Sequence, residues 1–357
     1  MKICTFNSTT SFDQKTTLKI FNIICLLYYP SRNNPRSYIL LSNIFIIGAT
    51  GHIGGAILDL FVIGDLTSLD ILTREASEAD IVINAGPDIK QEVAISAIFA
   101  GLAHRSPKTH YIHTSGAALI WDSPDGSQAG TKIWDDLADI KQLKSFPSTK
   151  IHVTSDALVF AASPNTHVAI VSPTILYGLS PSTLHPTPIS LPTVLDAISE
   201  LNTGFTISTG ANIQAYIHVL DNAQIYLLLV DDALQNPSGD PQKWGPESYY
   251  FAASEELSFK EYMTILVSRV SSPPYNFIQH ANIKQLAIPQ VVEVAGTLSS
   301  HLFGVNMRVR CTRARDVLGW APKEKKVGEA LDEVLNVYSK GKIDGSGMKD
   351  LNATIRL

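Results

Sequence analysis

Ile44-Phe45-Ile46-Ile47-Gly48-Ala49-Thr50-Gly51-His52-Ile53-Gly54 decides how the chain is read. Four consecutive apolar residues suit a strand buried on both faces of a parallel sheet, because a strand with one wet face would alternate. Glycine then recurs at positions 48, 51 and 54. Gly48 can take the tight turn out of the strand, Gly51 has no side chain to hold a ligand away, and Gly54 lets the next helix pack close to the sheet. A helix starting at Ile53 would offer free N–H groups and the positive end of its dipole to phosphates. The GxxGxxG spacing is weak by itself. Its place between a buried strand and a helix start makes it a dinucleotide-binding turn, with Thr50, His52 and Ile53 beside the glycines.

Downstream, strand and helix alternate. Phe61–Ile63 reads as a strand, Ser68–Ala79 as a helix, Ile81–Ala85 as a buried strand, Glu92–Leu102 as a helix and His110–His113 as a strand. Trp134–Leu143 and His152–Ala162 have helical spacing, and Val168–Val171 is another strand stopped by Ser172-Pro173. This order predicts an α/β fold, a doubly wound and mostly parallel Rossmann sheet, over residues 44–178. Residues 179–340 read as a mixed region, a smaller substrate lobe plus returning Rossmann elements at 213–235. Within it, Ser180–Pro192 is rich in Pro, Ser and Thr and reads as a loop or lid. Residues 341–357 form a tail.

Residues 1–43 read as an extension ahead of the domain, either disordered or the product of a faulty gene model. Its apolar run, Leu18–Tyr29, is too short to span a bilayer, starts late for a secretory signal and lacks a small-residue cleavage site. No membrane partner is expected. The formal charge of -5 leaves no basic footprint for nucleic acid. Cys4, Cys25 and Cys311 are too few for a disulfide framework, which suits a reducing, cytoplasmic setting. No histidine or cysteine pair has zinc-ligand spacing, and His110 and His113, an odd number of residues apart on a strand, point to opposite faces, so no metal is expected.

Together the glycine turn, Gly64-Asp65-Leu66-Thr67, Asp80–Ala85 and Tyr111–Gly116 resemble the extended and atypical short-chain dehydrogenase/reductases, the superfamily of NAD-dependent epimerases and dehydratases. The likeness runs on through Ser172–Gly178, Tyr216–Asp221 and Arg313–Trp320, covers residues 44 to about 335, and is greatest to atypical fungal members. It implies NAD or NADP as cofactor and a small hydroxyl- or carbonyl-bearing substrate; a homodimer is that superfamily's habit. It also implies roles: Asp65 and Leu66 beside the adenine, and Asn84, Ala85 and Gly86 beneath the ribose and pyrophosphate. Thr114 and Ser115 would lie near the nicotinamide ribose, with Ser115 polarising the substrate, and Pro173, Thr174 and Ile175 would border the nicotinamide.

Two departures stand out. The superfamily's Tyr-x-x-x-Lys pair is replaced: with Asp156 aligned to the carboxylate that follows the lysine, Ser148 and His152 occupy the two positions. His152 is the residual acid–base candidate there, against the plainer reading of an exposed histidine at a helix start. In addition, only one short helix separates the glycine turn from Asp65, so one strand and one helix of the first Rossmann half are missing, along with the residue that would tell NAD from NADP. Either Phe61–Ile63 fills the vacant place in the sheet or coding sequence has been lost. Three functions compete: an NAD(P)-dependent epimerase- or reductase-like oxidoreductase, a non-catalytic dinucleotide sensor, and a degenerate relative without cofactor.

Overall fold

The computed structural model describes residues 19–27, 40–47, 62–63, 66–86, 89–182 and 185–340. Gly48, Thr50, Gly51, His52, Ile53, Gly54 and Asp65 lie outside the described residues, as does the tail.

The first part of the chain holds β1 (Lys19–Leu27), β2 (Leu40–Ile47), β3 (Val62–Ile63), α1 (Leu69–Glu78), β4 (Ile81–Asn84), α2 (Glu92–Leu102) and β5 (His110–Thr114). Next come β6 (Trp134–Asp135), α3 (Ile140–Leu143), α4 (Val153–Ala161), β7 (His167–Pro173) and β8 (Ile175–Tyr177). They are followed by α5 (Ser190–Leu201), β9 (Gly204–Ile207), β10 (Ile213–His218), α6 (Val219–Gln235) and β11 (Tyr249–Ala252). The remainder is β12 (Glu255–Ser258), α7 (Phe259–Val270), β13 (Ile283–Leu286), α8 (Ile288–Ala295), α9 (Thr297–Gly304), β14 (Val309–Arg310), α10 (Thr312–Asp316) and α11 (Val327–Tyr338).

Seven strands form the main sheet in the order β11-β7-β5-β4-β2-β1-β3. The five from β11 to β2 run parallel, in registers such as Ile46↔Ile83, Val82↔Tyr111 and Ile112↔Ala169. The side chains of β4 and β5 are buried on both faces, which accounts for their unbroken apolar runs. The result is the α/β Rossmann-like fold that the alternation predicts. Its far edge differs from the simplest expectation. The place beside β2 is taken by β1, antiparallel over Ile20↔Ile47 to Leu27↔Leu40, and β3 pairs only with the start of β1. A segment within residues 1–43, expected as an extension outside the domain, thus occupies the sheet position beside β2, and β3 stands one place further out.

Other differences are local. Trp134–Leu143 is not one helix. The Asp135 carboxylate accepts from the amides of Leu137 and Ala138, and that of Asp139 accepts from the Asp135 amide. Asp135 thus caps a turn that starts beyond it, while Trp134 and Asp135 pair with β14, and only one turn, α3, is helical. In the 180–192 loop, α5 already begins at Ser190, with Pro192 tolerated in its first turn. β10 lies in a separate three-stranded sheet, β12-β10-β8, and the strand that returns to the main sheet is β11.

Two apolar cores follow from this division. One packs α1, α2, α4 and α6 on the main sheet around Ile46, Val82, Ile112, Ala169 and Phe251. The other gathers Phe205, Phe259, Phe303, Met263 and Leu331 under α5, α7 and α11. The motif residues Asp221 and Trp320 serve this packing. The Asp221 carboxylate accepts from the Lys323 and Glu324 amides, and the Trp320 indole donates to the Asp221 carbonyl.

Asp136 is fully buried and joins β11 to the start of α10, its two oxygens accepting from the amides of Phe251 and Arg313 at 2.9 Å each. Asp136→Ala would leave both buried amides without an acceptor, so a loss of about 2–5 kcal/mol is expected. Urea denaturation checks this; a variant as stable as the parent would mean those amides find other acceptors.

Candidate functional site

Parallel pairing brings the carboxyl ends of β2, β4, β5 and β7 to one side of the sheet, with Ile47 opposite Asn84, Asn84 opposite His113, and Thr114 opposite Val171. The chain runs from β2 to β3 at one edge and then to β4 on the other side of β2. The strand order therefore reverses between β2 and β4, the position at which open α/β sheets receive ligands. β2 ends at Ile47, directly before the glycine-rich stretch in the sequence.

Gly86 supplies bare main chain at the end of β4. A Cβ there would lie 3.1 Å from Asn84 Oδ1 and 3.6 Å from Ile47 Cγ2. The polar side chains around it turn inward. Asn84 is fully buried; its amide donates to Gln91 Oε1 and to the Tyr111 hydroxyl, and its oxygen accepts from the Gly86 amide. Thr114 shares a 2.7 Å hydrogen bond with the Tyr226 hydroxyl. Thr174 donates its hydroxyl, and its amide, to the Ala252 carbonyl. It stands between β7 and β8, where the chain leaves the main sheet for the small one. Ala85 and Pro173 are buried; Leu66 and Ile175 are half-buried and pack on the main core. The structure thus gathers Ala85, Gly86, Thr114, Ser115, Pro173 and Thr174 at neighbouring strand ends, while the side chains of Asn84, Thr114 and Thr174 are spent internally.

A second cluster lies where α4 meets β5. The Ser115 hydroxyl donates to Asp156 Oδ2 at 2.8 Å, and the Tyr249 hydroxyl lies 3.5 Å from Ser115 Oγ. His113 Nε2 stands 3.6 Å from Asp156 Oδ1. That spacing suits an ion pair, but burial governs both groups. It holds the His113 imidazole down to about 3, helped by the nearby His152, and pushes the Asp156 carboxyl up to about 7 against the Ser115 hydrogen bond. A proton on His113 would need a charged ring in a site that gives neither ring nitrogen a hydrogen-bond partner. The contact is therefore between a neutral imidazole and a carboxyl that titrates near neutrality.

His152 caps the start of α4 in a left-handed conformation, φ 70°. It is at the helix start, as the sequence indicates, but not exposed: the residue is half-buried, its Nδ1 is enclosed without a partner, and burial pushes the imidazole down to about 4. Its ring lies on Gly116, where a Cβ would come within 2.6 Å of Nε2. His113, Gly116, Tyr226 and Tyr249 are site residues that the sequence did not single out. Gly116 sat within a quoted motif, whereas Tyr226 and Tyr249 carry no local signal, since they arrive from elements more than 100 positions along the chain.

The fold defined by these elements is that of the NAD-dependent sugar epimerases and dehydratases. A nucleoside-diphosphate-sugar epimerase from Pseudomonas aeruginosa superposes with a TM-score of 0.54 at 14% identity, covering 84% of this chain and 98% of that one. DesIV, a dTDP-glucose 4,6-dehydratase from Streptomyces venezuelae solved with NAD bound, gives 0.52 at 14% identity, with 78% and 79% covered. The UDP-glucuronic acid 4-epimerase of Bacillus cereus gives 0.52 at 13% identity, with 78% and 81% covered. No family model matches the chain, and no curated protein matches its sequence. Among the described residues no helix is long and apolar enough to cross a membrane.

Because folding raises the Asp156 pKa from an ordinary 3.8 to about 7, its contribution to stability is full below about pH 4 and is lost as the pH rises through 7. Asp156→Asn, which cannot ionise, should shrink the drop in stability between pH 5 and pH 8 by about 1–3 kcal/mol. Urea unfolding at the two pH values measures it, and an unchanged drop would show that Asp156 ionises freely in the folded chain.

Proposed function

We propose that the chain is an atypical member of the short-chain dehydrogenase/reductase superfamily that binds NAD or NADP and acts in the cytoplasm as an epimerase- or reductase-like oxidoreductase on a small hydroxyl- or carbonyl-bearing substrate. The observation that supports this is the switch in strand order between β2 and β4, with the bare main chain of Gly86 at the end of β4. Bare backbone at a strand-to-helix turn is what a pyrophosphate requires, because side chains there would hold it off the N–H groups. The residues that would hold the dinucleotide are Gly48, Thr50, Gly51, His52, Ile53 and Gly54 at the pyrophosphate and Asp65 and Leu66 at the adenine. Ala85, Gly86 and Thr114 would lie along the ribose side, and Pro173, Thr174 and Ile175 at the nicotinamide. When bound, such a cofactor supplies hydride transfer to or from carbon. The chain's part is to orient the substrate and handle the accompanying proton, for which Ser115 and His152 are the candidates.

A second reading, a dinucleotide sensor without turnover, is favoured by the inward commitment of Asn84, Thr114, Ser115 and Thr174, which leaves few side chains to greet a substrate. Dinucleotide-linked turnover on sugar-nucleotide, aldehyde and ketone panels separates the two.

Calorimetric titration with NAD+, NADH, NADP+ and NADPH should show binding of at least one. Gly51→Val should weaken that affinity at least about tenfold, roughly 1.4 kcal/mol, while leaving thermal unfolding unchanged. Binding that ignores this substitution would remove the glycine turn from the site, and no binding of any of the four would leave only a degenerate relative.

A further inference from the structure

We propose that His110, His167 and Trp244 form an acid-released latch: it holds the segment between α6 and β11 against the amino ends of β5 and β7, and lets it go when His110 takes up a proton. The latch lies at the end of the sheet opposite the candidate site and does not depend on it.

The cluster is built by register. His110 opens β5 and His167 opens β7, and the two are direct partners in the parallel ladder, so their side chains leave the same face of the sheet. Their ring centroids lie 4.6 Å apart, and the indole of Trp244 stands nearly perpendicular to the His110 ring, also at 4.6 Å. His110 and Trp244 are each only 3% exposed. Gly239 closes over the outer imidazole: it is left-handed, φ 74°, and a Cβ there would lie 2.4 Å from His167 Nδ1. Farther along the segment, the Gln242 and Lys243 carbonyls accept from Arg313 on α10 and from the Tyr250 hydroxyl on β11. Release of the rings therefore opens the segment locally and leaves β11 in the sheet.

A proton on His110 meets no ready acceptor, since its Nε2 is enclosed without a hydrogen-bond partner. The groups that carry or take charge around it are His167 on β7, Lys108 in the turn before β5, Asp232 on α6, and Lys243 and Asp240 in the segment itself. Asp232 favours an imidazolium, but its oxygens are already engaged. Oδ2 accepts from the Trp244 indole at 2.7 Å, and Oδ1 from the Lys243 ammonium and the Asn236 amide. An imidazolium that turned to Asp232 would compete with the indole for it, and loss of that bond frees Trp244. Burial, with the neighbouring His167 second and Asp232 opposing, holds the His110 imidazole down to about 4. Opening returns it towards an ordinary 6.5. The advantage of the closed state is therefore full above pH 6.5 and is lost as the pH falls towards 4.

His113 and His152 are also kept neutral by burial, so acid weakens the whole fold and a local readout is needed to tell the latch apart. Hydrogen–deuterium exchange of the full chain, followed by peptide mass spectrometry at pH 7 and pH 5 and corrected for the intrinsic rate, provides it. Peptides covering 236–247 carry the Gly239, Trp244 and Gly245 amides, which donate to the Asn236, Asp240 and Val168 carbonyls. Their exchange should speed up at least about tenfold at pH 5 while α7 and α11 stay protected. His110→Phe keeps a ring against Trp244 but takes no proton, and should cut that acceleration to about threefold or less. Trp244→Phe removes the bond to Asp232 and should raise exchange of 236–247 at pH 7 at least about tenfold. That second variant decides the matter even where His110→Phe does not fold. Equal exchange of the parent at the two pH values, one common rate for 236–247, α7 and α11, an undiminished acceleration in His110→Phe, or parental exchange in Trp244→Phe would each overturn the latch.

Discussion

The parallel hydrogen-bond ladder through β2, β4, β5, β7 and β11 is the constraint from which the site follows. Parallel strands share a direction, so their carboxyl ends must come out on one side of the sheet, and each crossover must return over a face. With β1 and β3 on one side of β2 and β4 on the other, the strand order reverses at β2, the place where open α/β sheets receive ligands. The fixed register then sets which residues border it: Ile47, Asn84, His113 and the Thr114–Gly116 segment stand at neighbouring levels because their backbones are bonded in that order.

Burial at those strand ends creates the second constraint. Asn84, Thr114, Ser115, Thr174 and Asp156 are polar groups removed from water, and each meets the cost by a hydrogen bond within the protein. Asp156 and His113 show which force wins when charge is at stake. Facing each other at 3.6 Å, they do not settle as an ion pair, since desolvation outweighs the attraction on both sides. His152 is half-buried with its ring on Gly116, and burial holds its imidazole down in the same way.

The far edge of the sheet and the second core show how distant segments complete what the glycine turn begins. β1 lies antiparallel where a doubly wound sheet would carry a parallel strand, so the first half of the fold is built differently from the second. At Thr174 the chain leaves the main sheet for β8, and this single step hands the polypeptide to the small sheet and to the core around Phe205, Phe259 and Phe303. The two cores meet near the strand ends, because β8 follows β7 after one residue.

The sequence by itself determined the strands and helices whose signal is local. Buried runs such as Ile81–Asn84 and His110–Thr114, the helix Glu92–Leu102 and the α/β order were all legible, since apolar periodicity reports burial directly. It also indicated residues that stand at the ends of these strands. It misread Trp134–Leu143, where Asp135 caps a turn that starts beyond it and a partner strand 175 residues away, β14, takes up Trp134 and Asp135. Only the tertiary structure decided that β1 would enter the sheet, that Ser115 would turn inward to Asp156, and that His152 would rest on Gly116. The physical reason is common to all three. Which neighbour satisfies a polar group, or fills an open strand edge, depends on segments brought together by the fold, and nothing in the local spacing of residues encodes that choice.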